Sequence, residues 1–456
     1  MFAKKSLIWS VCAMSSLALV GCGDAKSTVV EKGVIEAEDD HDHDHDHGHE
    51  ASAHGRLLVL NGDTPEASVY SLEDNSLLDS FALDVAPSAV YASGGYRYGI
   101  LVDRAGNALN FIDGGLWQED HVEHLHDYEE APALLEYVLS GNRPTHVVPH
   151  GGQVAVFFDG DASAMVPAST TVFTDSDITS GNATPPSVSF DVAMHGAAQP
   201  RGEYLLSSWR RDDAQSTSAN PILPDQVALY HWHDGAYEQE QIFDVPCPDL
   251  HGAAQNETTI VFGCSDGVLV IHDHNGEFDA VKIPNSDVVL DNLRIGSIYG
   301  HNDSAQFIGI ASAHGGSTQQ WFAIDPEEGE MTLIENMPEL QASVVARGFS
   351  YEAEQFVILD GLGQLTLLEP HNHDGHTHWA YEGASYAITE ADVSAMPEGM
   401  TFSMALAQND HTVYVADPMA QHVLIIDLEL LQEVGDIELD YAPAKISWLG
   451  ITGEHH

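Results

Sequence analysis

An all-β chain folded as a single β-propeller of four-stranded blades is what the sequence predicts, on three observations. Short runs of β-branched and aromatic residues, broken by Gly, Pro, Asn and Asp, fill it from Leu57 onwards. The runs group in fours, at intervals of about 40 to 60 residues that match one blade. The two ends are also complementary: strands at 57–60, 68–72 and 77–83 lack an inner partner, and a strand at 444–449 lacks outer ones. Pairing them closes the ring and removes the sheet edges an open array exposes.

Each unit opens with a strand of small residues, continues with a strongly apolar strand ending near Asp or Gly and a third strand often ending in Asp or His, and finishes with a more polar fourth. The opening strands lie near Ser88, His146, His195, His251, Arg294, Ser343, Phe402 and Ala444. The count is eight blades, with seven as the alternative because insertions at 117–132 and 216–225 blur it. The expected organisation is a signal at 1–21, a His/Asp-rich tether without regular structure at 22–55, the propeller at 56–450 and a C-terminal tail at 451–456.

A chain of 456 residues with 43% hydrophobic content can bury a large core. Its 15 Lys and Arg stand against 71 Asp and Glu, a formal charge of −56 that repels nucleic acid and anionic lipid. Cations and cationic proteins are the favoured partners, although a uniformly acidic surface also serves solubility.

Lys4 and Lys5 followed by an apolar run at 7–20 read as a secretory signal, too short for a spanning helix with its flanks. The residues around Cys22 resemble a bacterial lipobox, so Cys22 is expected to carry lipid. Gly23 rather than Asp follows it, which favours the outer over the inner membrane. The expected place is therefore the periplasmic side of a bacterial cell envelope, with membrane contact through the lipid anchor alone. Cys12 leaves with the signal, and Cys247 with Cys264 remain as the expected disulfide of an oxidising compartment.

The tether carries His41, His43, His45, His47, His49 and His54 among acidic residues. Imidazole nitrogens and carboxylate oxygens on an unorganised chain suit loose, fast-exchanging capture of Zn²⁺.

A tighter site emerges from a repeat. Arg143-Pro-Thr-His146-Val-Val, Asp191-Val-Ala-Met-His195-Gly-Ala-Ala and Cys247-Pro-Asp-Leu-His251-Gly-Ala-Ala align on the turn that follows them. His146, His195 and His251 thereby share one position near the start of three successive inner strands, facing one mouth of the channel. One such histidine is more often a hydrogen-bonded core residue. Three in register make a tetrahedral Zn²⁺ site with an open or carboxylate-filled fourth position. Loops between second and third strands share that mouth and hold Asp63, Asp103, Asp159, Asp161, His314 and Asp417 as further ligand candidates. Cys247 and Cys264 fall at the same end of one antiparallel pair, where a disulfide pins the strand bearing His251.

Other histidines cluster after third strands: His121, His124 and His126; His231 and His233; His272 and His274; His371, His373, His376 and His378. Strand direction assigns most of them to the opposite mouth. The insertion holding His121, His124 and His126 is long enough to fold over an edge, which makes those three secondary metal candidates.

The segments 143–161 and 247–270 resemble the AztD-type zinc metallochaperones, exported β-propellers that hand zinc to the solute-binding protein of a zinc ABC importer. That resemblance implies zinc binding by His146, His195 and His251, help from a histidine-rich amino-terminal tail, and no catalysis. A lipid-anchored cysteine departs from a freely diffusing chaperone and also fits a zinc scavenger or store on the envelope. A zinc-dependent hydrolase is the enzymatic alternative, but no nucleophile elbow, HExxH or phosphate-loop motif is present. A non-catalytic scaffold is the third. The lack of paired Cys or Met ligands argues against a Cu(I) site.

Overall fold

Runs such as Leu57-Leu58-Val59-Leu60 and Val154-Ala-Val-Phe-Phe158 are apolar at every position, which requires cover on both sheet faces. A ring of radially packed blades supplies that cover. The computed structural model describes residues 55–120, 125–211, 214, 216–217, 222–290, 292–313, 318–338, 342–373 and 376–453, together with Val30–Glu31. It shows eight antiparallel blades around a central channel. Their inner strands are, in order, Pro443–Gly450, Ala89–Ala92, Pro144–His150, Ala198–Arg201, Ala253–Gln255, Arg294–Tyr299, Val344–Phe349 and Ser403–Leu406.

Second strands sit between neighbouring blades and are sealed: Leu57 to Leu60 and Val154 to Phe158 are each at most 2% exposed. Fully burying a residue of this kind contributes about 1.5–3 kcal/mol, so the second and third strands hold most of the core. Fourth strands face water, as in Ala236–Ile242, where only Tyr237 and Ile242 are half-buried.

The ring closes as the complementary ends require. Pro443–Gly450 pairs with Gly55–Asn61 in the register Gly55↔Gly450, Leu58↔Ser447 and Leu60↔Lys445. Trp448 and Leu449 are buried at this seam, and the chain beyond it stays attached: Ile451 is buried and the Gly453 N–H donates to the Gln408 carbonyl.

Three features differ from the sequence expectation. The 22–55 tether is not wholly without regular structure, because Val30–Glu31 pairs with Leu125–Glu129 and Gly55 already belongs to a strand. Val30 is β-branched, a residue type that such pairing favours. The insertion at 117–132 is a hairpin, Leu116–Asp120 with Leu125–Glu129, placed before the fourth strand of blade 2, Ala133–Ser140. A short helix, Asp175–Ser180, follows the third strand of blade 3. Thr174 and Asp177 close its capping box and Gly181 ends it in the left-handed region.

Chain direction defines the two mouths. One gathers the starts of inner strands and the loops joining second to third strands. The other gathers the ends of inner strands and the turns after third strands.

Candidate metal centre

His146, His195 and His251 meet at the first mouth, carried by blades 3, 4 and 5. Their local settings are not identical. His146 lies inside the strand Pro144–His150, just past an irregularity between Pro144 and His146, where Pro144 lacks the N–H a regular ladder needs. His195 and His251 stand in the loops just before Ala198–Arg201 and Ala253–Gln255, and each is followed by Gly-Ala-Ala. Gly252 has φ 75°, and a Cβ there would lie 2.6 Å from the Gly296 carbonyl oxygen. Glycine at that place lets blade 6 approach closely enough for the His251 ring to reach it.

The imidazoles present their Nε2 atoms to one another. His195 Nε2 is 3.1 Å from His146 Nε2 and 3.3 Å from His251 Nε2. Ligand atoms about 2.0–2.1 Å from a tetrahedral Zn²⁺ stand about 3.3–3.4 Å apart, so the spacing already fits. The outer nitrogens orient the rings. His251 Nδ1 donates to the Gly296 carbonyl at 2.8 Å, and His195 Nδ1 lies 3.3 Å from both oxygens of Asp159. With protons on Nδ1, both Nε2 atoms turn lone pairs inward at 3.3 Å. Such lone pairs repel unless a cation lies between them, and an N–H to carbonyl or carboxylate behind the ligating nitrogen is the usual support of a metal-bound histidine.

Asp159 is 7% exposed and bonded on its other side to Arg104 Nη2 at 3.0 Å. Burial pushes its carboxyl up, but His195, Arg104 and Thr145 outweigh burial and hold it below the usual carboxylate range. Burial, then the neighbouring His195 and His251, push His146 down to about 3, which keeps it in the neutral form that binds metal. A cavity of about 700 Å³ opens over the centre, bordered by Arg104, Arg143, Asp249 and Arg294. Three of the chain's 15 basic side chains thus stand at this one mouth.

The other acids of the mouth build turns instead. Asp103 accepts the Gly106 N–H at 2.7 Å, Asp161 accepts Ser163 N–H at 2.8 Å, and Asp417 accepts Met419 N–H at 2.8 Å. Asp63 accepts from Ala442 N–H at 3.3 Å. Asp161 closes its loop two residues beyond Asp159, which leaves Asp159 facing His195. The structure therefore does not bring Asp103 to the centre. Nor does it bring His126, whose strand, Leu125–Glu129, follows a third strand and sits at the opposite mouth beside Arg56. His121, His124, His314, Cys22 and the tail histidines His41, His43, His45, His47, His49 and His54 lie outside the described residues. The paired histidines after third strands meet local carboxylates, His231 with Glu240 at 3.0 Å and His274 with Asp279 at 2.9 Å.

Behind the centre, Cys247 and Cys264 form a fully buried disulfide with Cα atoms 4.9 Å apart. The His251 N–H donates to the Gly263 carbonyl at 3.0 Å, one residue from Cys264. The bridge and this hydrogen bond together fix the backbone that carries His251.

Asp159→Asn is expected to lower zinc affinity about 10- to 100-fold, the range typical of a lost carboxylate behind a metal-bound histidine. Competition with a chromophoric chelator reads this out, and an unchanged affinity would remove Asp159 from the centre.

No protein-family model matches the chain. It is 23% identical over 418 residues to the zinc chaperone AztD of Citrobacter koseri, covering 88% of this chain and 89% of that protein. The solved structure of apo AztD from Citrobacter koseri superposes with a TM-score of 0.69 at 21% identity, over 88% of this chain and 99% of that one. A second crystal structure of Citrobacter koseri AztD gives a TM-score of 0.70 at 22% identity, over 88% and 100%. A more distant likeness joins the fold to the dihydro-heme d1 dehydrogenase NirN, TM-score 0.53 at 10% identity, over 88% and 76%. In sequence and in propeller architecture, over 88% of its length, this chain is similar to the zinc chaperone AztD.

Proposed function

We propose that this protein binds Zn²⁺ at His146, His195 and His251 and passes it to the solute-binding protein of a zinc ABC importer. One observation carries the reading: three Nε2 atoms face one another at zinc-ligand spacing, two of them aimed by partners on their Nδ1 atoms. Similarity to the zinc chaperone AztD supports the same metal and a non-enzymatic role.

Three neutral ligands leave the fourth position for an incoming group, so zinc can be exchanged without leaving the protein. An acceptor ligand enters through the cavity over the centre, and each imidazole is released as an acceptor group takes its place. Arg104, Arg143 and Arg294 around that cavity favour an acceptor presenting carboxylates, in a chain that otherwise repels acidic surfaces. The histidine-rich segment 41–54 collects zinc loosely. The described residues on either side of it, Val30–Glu31 and Gly55, lie at the mouth opposite the centre. Export with a lipid anchor at Cys22 places the protein on the periplasmic side of the cell envelope, where the same two sites serve as a zinc reserve when no acceptor is free.

The test is transfer kinetics. Zinc-loaded protein mixed with a metal-free zinc solute-binding protein is expected to unload faster than it does into a chelator that only traps released metal. Equal rates would mean simple dissociation and would leave only the reserve role.

A further inference from the structure

Blade 7 carries a piece that its own sheet does not need. Its four strands are Val344–Phe349, Phe356–Asp360, the first part of Gln364–His373, and Ser385–Ala387, which pairs with Gln364 to Thr366. Beyond that pairing the third strand runs on and forms a hairpin with His376–Ala380, in the register Glu369↔Ala380 and His371↔His378. Strand alternation gives the hairpin two faces. Trp379 on one face is 5% exposed and packs edge-on against Phe349 at 5.5 Å, and the Thr377 carbonyl accepts from Gln306 at 3.0 Å. That face docks the hairpin onto the ring. Glu369, His371 and His378 occupy positions of the other.

There the groups converge. One ligand atom each from Glu369, His371 and Glu382 lies within 4.8 Å of the others. His371 Nε2 is 3.5 Å from Glu382 Oε1, is shielded from water, and makes no hydrogen bond. His378 is the direct cross-strand neighbour of His371, with Cβ atoms about 4.5–5.5 Å apart in such pairs. A shielded imidazole nitrogen without a hydrogen bond and two carboxylates within reach make a mixed nitrogen and oxygen donor set. Divalent cations of borderline hardness, zinc foremost, take such a set. We infer that Glu369, His371 and Glu382 form a second divalent-cation site, separate from the three-histidine centre. Its hairpin follows a third strand and therefore lies at the opposite mouth.

The site's physical effect is to tie the hairpin's first strand to the segment that leaves its second, since a two-stranded hairpin is marginally stable alone. Hydrogen exchange of the full chain, read by mass spectrometry over 369–382 with and without Zn²⁺, tests this. Saturating Zn²⁺ is expected to slow exchange there about tenfold in the native protein and in the variant with His146, His195 and His251 all replaced by alanine. His371→Gln is expected to remove that slowing. So is Glu382→Gln, whose position outside both strands leaves the zinc-free hairpin intact. Exchange in Phe356–Asp360 reports that each variant retains its blade. No zinc-dependent slowing in the native protein, slowing that persists in both hairpin variants, or slowing lost with the three inner histidines would each overturn the assignment. The last outcome would not bear on the three-histidine centre itself, whose own failure is read by chelator competition.

Discussion

Replacing His146, His195 and His251 together with alanine is expected to abolish the tightest zinc site, lowering affinity at least a thousandfold while loose binding by the tail persists. The magnitude follows from comparison with outer partners: removing one group behind a ligand costs about 10- to 100-fold, and here three ligands themselves are lost. The same change is not expected to destabilise the zinc-free fold. With their Nδ1 protons turned to Asp159 and Gly296, His195 and His251 hold Nε2 lone pairs against one another at 3.3 Å, an arrangement that serves the metal and burdens the empty protein. Acid sharpens the contrast. His146 is lowered to about 3 in the folded state from an ordinary value of 6.5, so below pH 6.5 the unfolded chain binds a proton the folded one does not. The native protein therefore loses stability from this group as pH falls from 6.5 towards 3, and the alanine variant escapes that loss. Thermal unfolding of both zinc-free proteins across that window measures it; a variant that melts lower throughout would show that the histidines serve the fold.

Removing the disulfide by Cys247→Ser with Cys264→Ser is expected to cost about 2–4 kcal/mol of stability, the usual range for a short closed loop. The two cysteines are 17 residues apart and fully buried. Zinc affinity is expected to fall with it, though by less than in the histidine variant. His251 stands four residues after Cys247, and its backbone is held to Gly263 beside Cys264. Denaturant unfolding and chelator competition on one variant separate the effects. Lost stability with unchanged affinity would show that the bridge does not position His251.

The blade count was legible because each blade repeats one grammar, a small-residue strand followed by an apolar run covered on both faces. The three histidines were legible for the same reason: a repeating unit turns sequence alignment into spatial alignment. Where the repeat is broken, position in sequence no longer fixes position in space. Asp103, Asp159, Asp161 and Asp417 look alike in sequence, all near the end of a second strand. Only the fold shows that Asp103, Asp161 and Asp417 accept N–H groups of their own turns, while Asp159 turns inward to His195 and Arg104. The partner of His251 Nδ1 is a backbone carbonyl at Gly296, 45 residues away, and no side-chain pattern encodes it. The hairpin of blade 7 was visible as a histidine cluster. Its register, which pairs His371 with His378 and brings Glu369 and Glu382 near, depends on how the strand runs past its blade. The helix at Asp175–Ser180 is not legible in the sequence although Thr174 and Asp177 carry a capping signal, because six residues leave almost no periodicity to read.

The most direct measurement is crystallography of the protein loaded with one equivalent of zinc, using anomalous differences at the zinc absorption edge. The dominant peak is expected between the Nε2 atoms of His146, His195 and His251, about 2.0–2.1 Å from each. A dominant peak elsewhere, with that position empty, would contradict the central claim.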